Sequence, residues 1–156
     1  MKFLLIILSF LSINAFAQSK KQVKSLKIKT TTTTITEKGK TINESKTTFD
    51  SKGNEIEKTD YNKEGVLKST HKTKYNSDGD VTEDEEYDGA NKLIEKKVVK
   101  YNLLGEKTEE IFYDPAGNIT KKHSYVYDGK GLKTERKTLD EKGAIISIKK
   151  HVYSSK

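Results

Sequence analysis

One turn phrase occurs nine times along this chain, and its spacing leaves few folds open. The phrase is an anchor residue, then Asp or Asn, two variable residues and Gly. The anchors are Ile35, Phe49, Tyr61, Tyr75, Tyr87, Tyr101, Tyr113, Tyr127 and Leu139, and Tyr153 continues the series. Successive anchors lie alternately 14 and 12 residues apart, so the true period is 26 residues. Thr36 stands in for the acid or amide in the first phrase, and Asn91 stands in for Gly in the fifth.

The phrase has a mechanism. Asp or Asn favours the first position of a type I turn, Pro suits the second, and Gly accepts the left-handed backbone that follows. Asp114-Pro115-Ala116-Gly117 fills every slot. A type I turn closed by a left-handed Gly is a three-residue hairpin loop. Nine such turns predict an all-β fold, an antiparallel meander of about ten short strands. In this register each anchor opposes the residue six positions on. Because 12 and 14 are even, all anchors are expected on one face of the sheet. The same register sets Glu57 against His71, Glu83 against Lys97, Glu109 against His123 and Glu135 against Lys149.

The strand centres are charged on both faces, so the sheet is expected to be one layer or a rolled, barrel-like sheet with a thin interior. The alternating spacing staggers successive strand pairs, as rolled sheets require. Charged residues make up 34% of the chain and the hydrophobic set 32%, with a net charge of +7. Basic and acidic residues are interspersed, which suits solubility more than a nucleic-acid surface.

Residues 1–17 read as a secretory signal peptide. Lys2 precedes the apolar run Phe3 to Ile13, and Ala15-Phe16-Ala17 is a small-x-small cleavage site. The run is too short to span a membrane stably, so the mature chain is expected to carry no transmembrane segment and to be secreted or periplasmic. There is no Cys, which excludes disulfides and a lipid anchor on an N-terminal Cys. Residues 18–29 are expected to fray, and residues 30–156 to form the repeat domain.

The repeated Tyr-Asp-x-x-Gly, best seen in YDPAGNI from Tyr113 and YDGKGLK from Tyr127, resembles the YD repeat of Rhs-type proteins. The resemblance spans roughly residues 35 to 153. It implies a β-sheet ribbon in a secreted or cell-surface protein, in a family sometimes described as carbohydrate-binding. The chain is too short for the large shells that such ribbons build, so toxin encapsulation is not expected to carry over. A weaker likeness to MORN-type repeats lacks their Gly-aromatic pattern.

Candidate chemistry is sparse. His71 and His123 occupy equivalent repeat positions, but four strands of separation put them about 19 Å apart, too far to share a metal. Asn76 to Glu86 has the oxygen-rich look of a calcium loop, yet it is the same turn in an acidic repeat. Glu57, Glu83, Glu109 and Glu135 form a row that a small glycan hydrolase could use, although each faces a cation and a solvated charge ladder explains it. No catalytic residue, cofactor or metal is assigned. Tyr61, Tyr87, Tyr113 and Tyr125 are the candidate ligand-binding residues, as aromatic platforms or as hairpin caps. The reading is a secreted, non-enzymatic binding or structural module. Its expected partner is a polysaccharide or an envelope protein, not nucleic acid, and its sheet edges offer self-association.

Overall fold

The computed structural model describes residues 19–154. The expected signal peptide and its cleavage site lie outside the described residues. A short helix, α1 (Lys20–Ser25), precedes ten strands. These are β1 (Thr30–Glu37), β2 (Lys40–Phe49), β3 (Glu55–Tyr61), β4 (Leu67–Tyr75), β5 (Val81–Asp88), β6 (Leu93–Tyr101), β7 (Lys107–Tyr113), β8 (Ile119–Tyr127), β9 (Lys133–Leu139) and β10 (Ile145–Lys150). Each strand pairs antiparallel with its sequence neighbours, in the order β1 to β10. The two end strands do not pair with each other, so the sheet is an open single layer and the barrel-like alternative is not adopted.

Eight of the turns use the Asp or Asn side chain as a closing group. In the turn after Tyr61, Asn62 Oδ1 accepts the amides of Glu64 and Val66 at 3.0 and 2.9 Å. The Gly65 amide bonds the Asn62 carbonyl, and the Asn62 amide bonds the Val66 carbonyl. The side chain thus supplies a bond that the left-handed Gly turns away from the backbone ladder. The first hairpin differs from the expectation. Glu37 pairs with Lys40 across a two-residue loop, Lys38-Gly39, in which both residues have positive φ. Without an Asp or Asn after Ile35 the side-chain closure is missing, and a mirror-image two-residue turn replaces it.

The anchor pairs form as expected: Tyr61 opposes Leu67, Tyr87 opposes Leu93 and Tyr113 opposes Ile119. One step further from the turn the ladder slips. Asp60 pairs with Ser69, not with Lys68. The same slip recurs in the other seven hairpins that carry the phrase, leaving Ile56, Lys68, Thr82, Ile94, Thr108, Thr120, Thr134 and Ile146 as extra residues. These are β-bulges. Where the extra residue is Thr108, Thr120 or Thr134, its hydroxyl donates to a carbonyl eight residues back, at 3.2 to 3.3 Å.

One slip per hairpin reverses the expected facing. A one-residue shift moves the rest of the strand to the other side, so neighbouring anchors point to opposite faces. Phe49, Tyr75, Tyr101 and Tyr127 lie on what we term the front face, along the near margin. Tyr61, Tyr87, Tyr113 and Leu139 lie on the back face, along the far margin. The expected charge pairs also move. Glu57 opposes Lys72, Glu83 opposes Val98, Glu109 opposes Ser124 and Glu135 opposes Lys150.

The near-margin tyrosines tie hairpins together. The hydroxyls of Tyr75, Tyr101, Tyr127 and Tyr153 donate to the carbonyls of Glu55, Val81, Lys107 and Lys133 at 2.7 to 3.0 Å, always 20 residues back. Each bond reaches the start of the preceding hairpin's second strand. This repeated strap helps hold a sheet with little else to bury. Among the described residues the buried apolar side chains are Val23, Val99 and Ile111.

Residues 19–25, expected to fray, form a capped helix. The Gln22 amide bonds Ser19 Oγ, and the Ser19 amide bonds Gln22 Oε1, which is a capping box. Val23 is 1% exposed. The chain then joins the sheet, since the Phe49 amide bonds the Lys29 carbonyl. Gly53 makes the close approach possible. It has φ +78°, and a Cβ there would stand 2.7 Å from the Lys20 carbonyl oxygen.

Candidate functional site on the front face

The 26-residue repeat puts Asp84, Glu110 and Arg136 at equivalent front-face positions, opposite Lys97, His123 and Lys149 respectively. Two of these pairs join an acid to a base. The third inverts the acid and sets two cations opposite each other, an arrangement that destabilises a sheet. One repeat before Asp84, Lys58 holds the same position opposite His71, but its ammonium pairs with Asp60 at 3.2 Å, an acid that the Arg136 repeat replaces with Thr138.

In the first acid–base pair Lys97 Nζ lies 3.1 Å from Asp84, and the Thr73 hydroxyl donates to the same carboxylate. The second is denser. Lys107 Nζ donates to Glu110 Oε1 at 2.7 Å, while His123 Nδ1 lies 3.2 Å from Oε2 and the Tyr125 hydroxyl donates to that same oxygen. Burial works against the Glu110 charge. The Lys107, Tyr125 and His123 contacts outweigh it and hold the carboxyl at about 2. The Tyr125 phenol is pushed up, first by burial and then by its bond to Glu110.

Cations gather around Tyr125. Lys133 Nζ is 4.5 Å and Lys107 Nζ 6.0 Å from its ring centroid. Arg136 opposes Tyr125 across the strand pair, and Lys149 opposes Arg136 on the other side. Arg136 Nε is buried and has no hydrogen-bond partner among the described residues. Nearby, Lys121 Nζ stands 4.0 Å over Phe112, and the His123 ring meets Phe112 edge-on. Over β7 to β10 the front face therefore presents Lys107, Lys121, Lys133, Arg136 and Lys149 against the single carboxylate of Glu110. Such an array can hold an anion and stack a ring.

The four expected binding tyrosines do not form one site. Tyr61, Tyr87 and Tyr113 form a row on the back face, two strands apart, or about 9.5 Å at ordinary strand spacing. Lys72 Nζ lies 4.9 Å from the Tyr87 ring centroid, and the Tyr87 hydroxyl donates to Glu85. Tyr125 lies on the opposite face. Arg136, Lys133 and Lys107 are not among the sequence candidates, and Lys149 enters there only as the partner of Glu135. The signal was present: aligning residues 58, 84, 110 and 136 shows base, acid, acid, base, and of the two bases only Lys58 has an acid two residues on.

The remaining candidates stay within the structural framework. Glu57, Glu83, Glu109 and Glu135 share the back face. Lys74 and Lys96 hydrogen-bond Glu83 and hold its carboxyl below the usual range. Lys100, 2.9 Å from Glu109, does the same there, helped by Lys122. In the calcium-like segment, Asn76 Oδ1 accepts the amides of Asp78 and Asp80, as the equivalent residue does in other turns. Among the described residues no group of three or more His, Asp or Glu is placed to hold a metal. No helix among them is long and apolar enough to cross a membrane.

No protein-family model matches the chain, and no curated protein matches it. Among solved structures it is similar to a protein of unknown function from Bacteroides fragilis NCTC 9343. That likeness has 15% identity and a TM-score of 0.45, covering 81% of this chain and 96% of the other. It is also similar to a porin-like protein from Bacteroides uniformis ATCC 8492, at 13% identity and a TM-score of 0.33, over 71% of this chain and 70% of that one. A third likeness, to TarM, has 18% identity and a TM-score of 0.33 and covers 74% of this chain but only 20% of TarM. At these scores none of the three bears on function.

Proposed function

We propose that this chain is a secreted, non-enzymatic binding module of the cell envelope, and that its ligand is a polysaccharide carrying acidic groups. The observation that carries this reading is the inverted pair Arg136–Lys149, packed beside Tyr125 with Lys133 and Lys107 around the ring. Like charges held together cost stability, and a bound carboxylate or sulfate would relieve that cost. The Tyr125 and Phe112 rings offer stacking surfaces for the apolar faces of sugars. The resemblance to YD repeats and the expected signal peptide point the same way.

The hydrolase alternative fits less well. Glycoside hydrolysis needs a carboxyl that stays protonated near neutral pH. Glu83, Glu109 and Glu110 are all pulled in the opposite direction.

Calorimetric titration with a uronate-bearing polysaccharide, and with a neutral one of similar length, tests the reading. The acidic polymer is expected to bind, and added salt to weaken it. Arg136→Gln should lower affinity by about tenfold, the scale of one charge-assisted contact. Equal affinity for the neutral polymer would remove the anionic ligand class, and cleavage of either polymer would restore the enzyme reading.

A further inference from the structure

The near margin changes character along the sheet. In the turns after Phe49 and Tyr75 the two variable residues are Ser51-Lys52 and Ser77-Asp78, and the residues after Gly are Asn54 and Asp80. The turn after Tyr101 places Leu103-Leu104 in the same slots, and the turn after Tyr127 places Leu132 after its Gly. Val152 and Tyr153 follow at the end of β10. Leu103 is 106% exposed, Leu104 83%, Leu132 40%, Val152 94% and Tyr153 53%. Turn tips need no apolar side chain, and the other near-margin turns have none in these slots.

These five residues lie along the near margin, from the β6–β7 turn to the end of β10. A pocket on a partner protein suits one protruding side chain, whereas a line of them suits a plane. Lysines stand beside the line, Lys130 in the next turn and Lys150 before Val152, with one carboxylate, Glu106, between the two turns. Apolar side chains at the tip with cations beside them match an anionic bilayer surface, where leucines enter the acyl boundary and lysines meet headgroups. Tyr153 at the end of the line suits the interfacial zone.

We infer that the near margin of the C-terminal half is a membrane-docking edge, with Leu103 and Leu104 inserting at its tip and Lys130 and Lys150 reading anionic phospholipid. The inference does not rest on the polysaccharide site, because Leu103 and Leu104 are not among the residues of that site.

Vesicle flotation of the chain from Gln18, which contains every described residue, tests it. The protein is expected to float with vesicles of equimolar phosphatidylglycerol and phosphatidylethanolamine, and much less with phosphatidylcholine alone. Replacing both leucines, Leu103→Ser with Leu104→Ser, should lower partitioning to the anionic vesicles by about tenfold or more, the scale of one buried leucine side chain. Lys130→Glu should weaken the anionic vesicles only. Both variants should keep the circular dichroism and polysaccharide affinity of the parent, since turn-tip side chains lie outside the ladder. Absence of flotation by the parent, or equal flotation by the leucine variant, overturns the inference. So does a fall in sedimenting mass on replacing the leucines with flotation unchanged, because the tips would then dock on a second copy.

Discussion

The β7–β8 hairpin and the β9–β10 hairpin share a backbone and differ in what they bury. Both carry the same turn, the same slip after the anchor and a near-margin tyrosine strap. The first contains Ile111, 5% exposed, and the cluster around Glu110. The second exposes all six residues of β10, among them Ile145, Ile146 and Ile148, and sets Arg136 against Lys149. Identical turns thus make identical strands whether or not their surfaces are satisfied. Backbone closure builds this sheet, and side chains are left to specialise by position.

The sharpest way to break that contrast is to truncate one isoleucine in each hairpin. Ile111→Ala should cost about 2–4 kcal/mol, because a buried branched side chain loses both transfer energy and packing. Ile148→Ala, at 50% exposure, should cost well under 1 kcal/mol, within the range of ordinary surface changes. Urea unfolding of the two variants measures the difference. Equal costs would mean that the end hairpin is covered in solution, and that its open edge is an interface.

A smaller effect comes from the acid at the centre of the first hairpin. Glu110→Gln removes the charge that Lys107, His123 and Tyr125 share, and should cost about 1.5–3 kcal/mol. The pH dependence has a definite sign. Glu110 is depressed from 4.5 to about 2, so its contribution is complete above pH 4.5 and is lost as pH falls toward 2. The stability gap between parent and Glu110→Gln should therefore close across that acidic window. A gap that persists at pH 2 would assign the cost to packing.

Spacing alone revealed the meander, because Asp-x-x-Gly has one good conformation and its intervals fix strand length. The facing was not legible. The slipped positions hold Ile, Thr or Lys, residues that read as ordinary strand, and no Gly marks the bulge. Since a single slip flips a strand, a correct list of strands still put every anchor on one face. In the expected register Tyr125 shares the face of Tyr61, Tyr87 and Tyr113 for that reason. The helix was legible in part, as Ser19-Lys20-Lys21-Gln22 is a capping-box pattern. Six residues with one apolar side chain carry no helical period, so the pattern had nothing to confirm it. The charge inversion at Arg136 needs only the repeat alignment, but its consequence depends on the true register. In the expected register Arg136 faces Ile148, and the like-charge pair with Lys149 is invisible.

The smallest effect separates fold from function most cleanly. Arg136→Glu would place at this position the acid found at Asp84 and Glu110, opposite Lys149 and within the cationic array around Tyr125. A cross-strand opposite-charge pair contributes about 0.2–1 kcal/mol and a like-charge pair opposes folding by a similar amount. The variant should therefore unfold at slightly higher urea, with an unchanged slope, and bind the acidic polysaccharide far more weakly. A change that improves the fold and removes the ligand identifies Arg136 as a residue retained for binding. If the variant were instead less stable, the guanidinium would be contributing through the packing of its buried Nε and stem against Tyr125, and the departure from the repeat at this position would belong to the sheet rather than to a ligand.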